Sequence, residues 1–261
     1  MATYAVLGAT GNCGIALIQI LLKQPKARIN AYCRNKNKLL RLLPGSEAGG
    51  QVEITEGGVQ DEQLLASCIR DCRAIFMVIS TNDNVPGCRL SQDTATAVIR
   101  ALRSLNQAPK VVILSSATID DHLSRHIPYL LRQVLLRSAS NVYNDLREAE
   151  MLLRAQQDWL TVIYMKPGAL SVDRQRGHAL SLSEEDSPLS YLDLAAAMIE
   201  AVDDEEGRYD MRSVSVSEVP KGNPYVYFDG AVTPLVSILA SILAINGPGM
   251  RLIWRVAWET S

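Results

Sequence analysis

The chain has 261 residues, 48% of them hydrophobic and 21% charged, and a formal net charge of −2. That length and balance suit one α/β domain, or one domain with a small appendage, and exclude a disordered chain. With no basic excess to neutralise a phosphate backbone, no nucleic-acid partner is expected.

The first apolar run, Tyr4–Leu7, ends in "GATGNCG", with Gly8, Gly11 and Gly14 at every third position. A helical pattern follows over Asn12–Lys23. A glycine-rich turn between a strand and a helix is the context of a dinucleotide site. Gly8 lets the chain leave the strand sharply, Gly11 lets backbone approach a pyrophosphate, and Gly14 lets the helix pack on the strand. Helix N-terminal amides then face the phosphates, with Thr10 and Asn12 able to add hydrogen bonds.

Further strands are predicted over Ile29–Cys33, Val52–Thr55, Ala74–Ile79, Val111–Leu114 and Leu160–Tyr164. Helical patterns over Lys36–Leu43, Asp61–Arg70, Arg89–Leu105 and Val142–Gln156 alternate with them. Apolar runs without polar alternation suit strands buried on both faces. The alternation predicts an α/β fold, a Rossmann-type doubly wound parallel sheet with a small C-terminal substrate-side region. In that region 177–182 reads as a short strand, 187–204 as a helix capped by Ser190 with Asp193 three positions on, and 211–219 as a strand. Residues 1–220 form the NAD(P)-binding domain in this reading, and 221–261 a C-terminal tail. Its apolar run "LVSILASILAI" (235–245) is too short for a membrane span, which needs about 20 residues. It suits a helix packed on its own domain or on a second copy in a homodimer; a lipid-surface contact or a substrate lid are the alternatives.

The second predicted strand ends "AYCRNKNKLL". Roughly 20 residues after the glycines, NAD-specific folds carry an acid for the ribose hydroxyls. Here Arg34 takes that place, with Lys36 and Lys38 behind it. A guanidinium grips a 2′-phosphate that an acid would repel, so NADP(H) is the expected cofactor. The five cysteines, Cys13, Cys33, Cys68, Cys72 and Cys88, are odd in number and lack CxxC spacing. They read as free thiols in a reducing compartment, and no signal or transit peptide precedes the first strand, so a cytoplasmic protein is expected.

The segment "DDHLSRH" (120–126) places His122 and His126 four apart, on one face if helical. It lacks the glutamate of HExxH, so no metal is assigned. A softer role for His122 is substrate contact or acid–base work. The following "IPYLLRQVLLRSAS" (127–140) is a lid or plain packing. The acidic run 200–210 reads as a solvated loop.

Together, "GATGNCG", Arg34, "EGGVQD" (56–61), "AIFMVIS" (74–80), "VVILSSA" (111–117) and "YMKPGAL" (164–170) resemble the atypical short-chain dehydrogenases, in particular the NmrA-like NAD(P)-binding group. "PLSYLDLAAAMIEAVDDEEGRY" (188–209) is similar to fungal members from secondary-metabolite clusters. The resemblance implies NADP(H) across the C-terminal edge of the sheet. Gly8, Thr10, Gly11, Asn12 and Gly14 would meet the pyrophosphate and Arg34 the 2′-phosphate. Ser80 and Thr81 would lie along the ribose, Ser115 near the nicotinamide, and Pro167 and Gly168 beneath it. Relatives often carry Gly-Asp after the third strand; this chain has Gly57–Gly58.

Short-chain dehydrogenases use Ser, Tyr and Lys. The serine polarises the substrate oxygen, the tyrosine moves the proton, and the lysine lowers the tyrosine pKa. Ser116 is the candidate serine and Tyr143 the candidate tyrosine. Arg147 stands at the lysine position and cannot reproduce a compact ammonium; its other reading is surface pairing with Glu150. Lys166 is the other candidate, either fixing the cofactor or protonating a substrate oxygen, or else pointing to solvent. The expected function is NADPH-dependent reduction of a small aromatic or polyketide-like carbonyl, enone or quinone substrate. A redox-neutral isomerase, cyclase or dehydratase, or a non-catalytic NADP(H) sensor, are the alternatives.

Overall fold

The computed structural model describes residues 2–46, 49–81, 83–185 and 187–218. The predicted C-terminal tail, with its apolar run at 235–245, lies outside the described residues. The core alternates strands and helices: β1 (Ala2–Leu7), α1 (Asn12–Leu22), β2 (Ala27–Cys33), α2 (Lys36–Leu42), β3 (Val52–Glu56), α3 (Glu62–Ile69), β4 (Ala74–Met77), α4 (Leu90–Leu105) and β5 (Lys110–Leu114). After a 3-10 turn at Ala117–Ile119 come α5 (Tyr129–Ser138), α6 (Ser140–Arg154) and β6 (Val162–Met165). The C-terminal part of the described chain adds β7 (Leu170–Ser171), β8 (His178–Ser181), β9 (Leu189–Ser190), α7 (Tyr191–Asp203) and β10 (Ser213–Glu218).

The main sheet has the order β3-β2-β1-β4-β5-β6-β10-β8. Every pairing within it is parallel except β10 with β8. The chain reverses direction across the sheet between β1 and β4, which opens a crevice at the carboxyl ends of those strands. This is the expected Rossmann-type architecture, with an antiparallel edge supplied by β8.

Side-chain alternation explains why the strands carry no polar stripe. Tyr4, Val6, Phe76, Val112 and Ile163 pack on one face of the sheet with α1 and α7. Ala5, Leu7, Ile75, Met77, Ile113 and Tyr164 pack on the other with residues of α3, α4 and α6. The two largest departures from the sequence reading are local. The run at 127–140 splits, and α5 buries none of its residues although it is rich in leucine. The acidic run at 200–210 is not a free loop. It begins inside α7, and the carboxylate of Asp204 accepts bonds from the Arg208 amide (2.7 Å) and guanidinium (2.7 Å).

Two helix starts show how polar residues place the framework. Ser190 caps α7 as expected: its hydroxyl accepts from the Asp193 amide (3.0 Å) and donates to that carboxylate (2.6 Å). Buried Asp193 also accepts from the amides of Arg176 and Gly177, at 2.8 Å each, and so ties the loop after β7 to α7. Helix α4 is capped from outside. Asp145 of α6, 2% exposed, accepts from the amides of Ser91 (2.7 Å) and Gln92 (3.0 Å). All five cysteines are free thiols. Among the described residues no helix is long and apolar enough to cross a membrane.

Removing the Asp145 carboxylate leaves the amide of buried Ser91 and that of half-buried Gln92 without this acceptor. Asp145→Ala is expected to lower unfolding free energy by about 2 kcal/mol, measured by urea denaturation, while Asn144→Ala on the exposed face changes it little.

Candidate active site

The crevice begins at the turn after β1. Gly8 has φ +103° there, a left-handed conformation that an L side chain rarely adopts, and a Cβ would approach the Val78 and Ile79 backbone to 2.9 Å. A Cβ on Gly14 would overlap the Gly8 carbonyl oxygen. These two glycines are required by the fold itself. Gly11 is different. It is exposed, its φ is −83°, and a Cβ there would meet only the Gly8 oxygen at 3.4 Å. The space above Gly11 is therefore open. The first turn of α1 begins at Gly11 with no capping side chain and no acidic residue. Its amides and helix dipole are available to an anion. Thr10 is half-buried and Asn12 exposed beside them; the Asn12 side chain also bonds to Tyr191 of α7.

At the exit of β2, Arg34 is exposed and makes no ion pair among the described residues. Lys38 is exposed too, its amide capped by Asn35 (2.8 Å). The nearby acid, Glu56, is turned to the Lys36 amide (2.9 Å). The two glycines after β3 differ: at Gly58, the departing position, a Cβ would meet only the side-chain ends of Gln60 (3.1 Å) and Asp61 (3.6 Å), so sterics do not explain the departure, whereas Gly57 is required. A Cβ on Gly57 would overlap the hydroxyl of buried Tyr32, which donates to the Gly58 carbonyl (2.8 Å). Beyond β4, Ser80 is exposed and Thr81 half-buried, with the Thr81 hydroxyl accepting from the Asp83 amide (3.0 Å).

The exits of β5 and β6 hold the densest chemistry. Lys166 does not point to solvent. It is 4% exposed and its ammonium meets Glu150 of α6 at 2.9 Å and Asp120 at 3.1 Å. Glu150 also accepts from the Ser115 hydroxyl (2.6 Å). Sequence reasoning missed Glu150 because its partners lie on other elements. Its expected pairing with Arg147 is corrected: Arg147 is exposed and bonds to Asn144 (3.2 Å), while Glu150 faces inward. Ser116 is half-buried, and its oxygen accepts from the Thr118 amide (3.3 Å), which leaves the hydroxyl proton free to donate. Tyr143 is half-buried on α6.

Asp120 joins this cluster to the following turn. Burial favours its neutral acid, but Lys166 and the Leu123 amide outweigh that and hold its carboxyl below the usual carboxylate range. Its Oδ1 accepts from the His122 (3.1 Å) and Leu123 (3.2 Å) amides, and its carbonyl from the Ser124 hydroxyl (2.6 Å). The segment is thus a string of turns and not a helix, so the expectation that His122 and His126 share a helix face is corrected. His122 is exposed; His126 bonds to Glu185 (3.2 Å). Pro167 accepts from the Ala117 amide (2.9 Å), and Gly168 abuts Glu185 and Ser187, where a Cβ would overlap both.

The glycine turn, the open space over Gly11 and the uncapped α1 together fit a dinucleotide pyrophosphate. A family model described as NAD(P)H-binding matches residues 8–205 of the chain. The chain belongs to this NAD(P)H-binding family. It is 57% identical over 260 residues to oxidoreductase nsrR of Aspergillus novofumigatus, covering 94% of this chain and 98% of that one. It is 58% identical over 236 residues to oxidoreductase claK of Passalora fulva, covering 86% and 87%. A solved short-chain dehydrogenase/reductase from Veillonella parvula in complex with NADP superposes with TM-score 0.67 at 18% identity, covering 87% of this chain and 97% of that one. The chain is thus an NAD(P)H-binding, oxidoreductase-like family member on a Rossmann fold.

Two measurements test the site. Gly11→Val should leave thermal unfolding nearly unchanged and abolish NADPH binding in a fluorescence titration, because the fold tolerates the side chain and the pyrophosphate does not. Asp120 has a folded pKa below its unfolded value, so its stabilisation is present above the unfolded pKa and lost as pH falls through the folded one. Asp120→Asn should therefore be destabilised relative to wild type at pH 7, and the gap should close in acid, as read by urea midpoints across pH.

Proposed function

We propose that the protein is an NADPH-dependent reductase of a small aromatic or polyketide-like carbonyl, enone or quinone compound. The observation that carries the cofactor choice is the exposed Arg34, unpaired among the described residues, at the exit of β2, where an acid would mark NAD. A guanidinium at that position binds a 2′-phosphate through charge-assisted hydrogen bonds. Gly8, Gly11, Gly14, Thr10 and Asn12 hold the pyrophosphate at the start of α1, with Lys38 adding positive charge near the 2′-phosphate. Ser80 and Thr81 follow the ribose, and Ser115, Pro167 and Gly168 border the nicotinamide end. When bound, the reduced nicotinamide supplies hydride.

The chain's own groups divide the remaining work. Ser116 donates its free hydroxyl proton to the substrate oxygen as a hydrogen bond and polarises the carbonyl. Lys166 is held by two carboxylates, so its role is positioning: it fixes Ser115 through Glu150 and the 120–126 turn through Asp120. Tyr143 sits without a lysine one helical turn on, which weakens it as a proton source. His122, exposed on the turn, lines the mouth of the site.

Arg34→Asp should weaken NADPH by about tenfold or more, the equivalent of ~1.4 kcal/mol, and NADH much less; equal losses for both would overturn the 2′-phosphate assignment. Purified protein with NADPH and a panel of aromatic ketones, enones and quinones tests the reaction. Loss of the reduced nicotinamide absorbance, with a product heavier by two hydrogens, is the expected outcome. A steady band with an isomerised or dehydrated product would make the enzyme redox-neutral.

A further inference from the structure

The chain has three histidines, and two of them meet carboxylates. His178 bonds to Glu200 (2.8 Å), a side chain 58% exposed on α7. His126 bonds to Glu185, whose side chain is 5% exposed, while the imidazole side chain is 45% exposed. The second pair is built differently. One Glu185 oxygen takes His126 Nε2 at 3.2 Å, and the other accepts from the Ser187 hydroxyl. Ser187 in turn accepts from the Ala169 amide (2.8 Å). Glu185 lies so close to Gly168 that no side chain fits at 168. A buried carboxylate is costly unless bonded, and here its bonds fix it against the exit of β6, beside the nicotinamide end of the proposed cleft.

The turn that carries His126 is itself pinned. Asp120 ties it to Lys166, just past β6, and the Glu185 amide donates to the Leu123 carbonyl (3.4 Å). The surrounding charges are already engaged. Lys166 pairs with Glu150 and Asp120, and Arg132 of α5 with the Thr118 carbonyl and Asp121. Arg125, on the same turn, is exposed. Glu185 is thus the charged group that bonds to His126 among the described residues. With Nε2–H directed at Glu185, Nδ1 is the ring nitrogen left for another partner, and the half-exposed edge leaves a route for proton exchange with water.

We propose that His126, oriented by Glu185, is the proton donor to the substrate oxygen, the role that the absent Tyr–Lys pair leaves open. The proposal rests on the reductase reading. In the step, the carbonyl carbon gains hydride from the reduced cofactor, the π pair moves to oxygen, and that oxygen takes the proton from His126 Nδ1. The imidazolium becomes neutral imidazole, with Nε2–H still on Glu185, and solvent restores the proton. The carboxylate at Nε2 fixes the ring's orientation and tautomer, which leaves Nδ1 for the substrate oxygen.

A purely structural latch between the 120–126 turn and Glu185 makes the opposite forecasts. The test uses the full chain, with histidine ring NMR on protein saturated with NADP+ and titrated with 1-tetralone. The ring signals of His126 should move and those of His178 should not; unmoved His126 signals overturn the proposal. On a ketone that the panel shows to be reduced, His126→Gln should lower kcat about 100-fold with KM within about threefold, and Glu185→Gln about tenfold. Both should flatten the pH dependence of kcat, with NADPH affinity kept and His178→Gln unchanged. Glu185→Gln preserves an acceptor for Nε2–H, so a latch would keep rate and pH profile; that result overturns the proposal. If no ketone, enone or quinone consumes NADPH, the reductase reading fails, and the NMR titration still reports whether His126 meets a carbonyl.

Discussion

A buried ammonium is the constraint around which the exits of β5 and β6 are arranged. Lys166 leaves β6 in a place with almost no access to water, and an unpaired charge there would be prohibitive. Two carboxylates meet it from different directions, Glu150 from α6 and Asp120 from the turn after β5. Such a cluster is weak evidence for added stability, since apolar replacement of buried ion pairs is often neutral. Its consequence here is positional. Glu150 also takes the Ser115 hydroxyl, and Asp120 organises the turn that carries both histidines. The exit of β5, the exit of β6 and the α6 face are thereby locked in one arrangement.

The cofactor end depends on space and dipoles instead of paired charge. Gly8 and Gly14 are demanded by the β1–α1 turn, whereas Gly11 leaves room above it that the fold does not use. That distinction separates a tight turn from a ligand cradle. It also explains why α1 can begin without a capping side chain: its first amides are satisfied by water or by an anion. Arg34 adds an exposed positive charge at the neighbouring strand exit. The antiparallel pair β8–β10 and helix α7 close the far side and bring Glu185 and Ser187 onto Gly168.

Much of the framework was legible because it is local. Short apolar runs, a glycine turn and amphipathic helical spacing are signals within a dozen residues, and their element order implies the parallel sheet. The Ser190 cap with Asp193 was readable for the same reason. The errors fell where a local pattern met a tertiary demand. Histidines four apart suggested a helix face, but Asp120 accepts the amides of residues 122 and 123 and bends the segment into turns. Glu150 was assigned to a surface neighbour on its own helix, yet α6 buries that face against β6. Leucine-rich 129–138 did form a helix, without burying any residue.

The sequence alone determined the β1–turn–α1 unit, the basic residue in place of an acid after β2, and the alternation that builds the sheet, because each is set by neighbours along the chain. Only the tertiary structure decided which polar groups meet. Ser115 and Glu150 are 35 residues apart, Lys166 and Asp120 are 46, and His126 and Glu185 are 59. Such pairs leave no periodic trace in a sequence; they form because a buried charge is costly without a partner, and the fold brings partners from distant elements within reach.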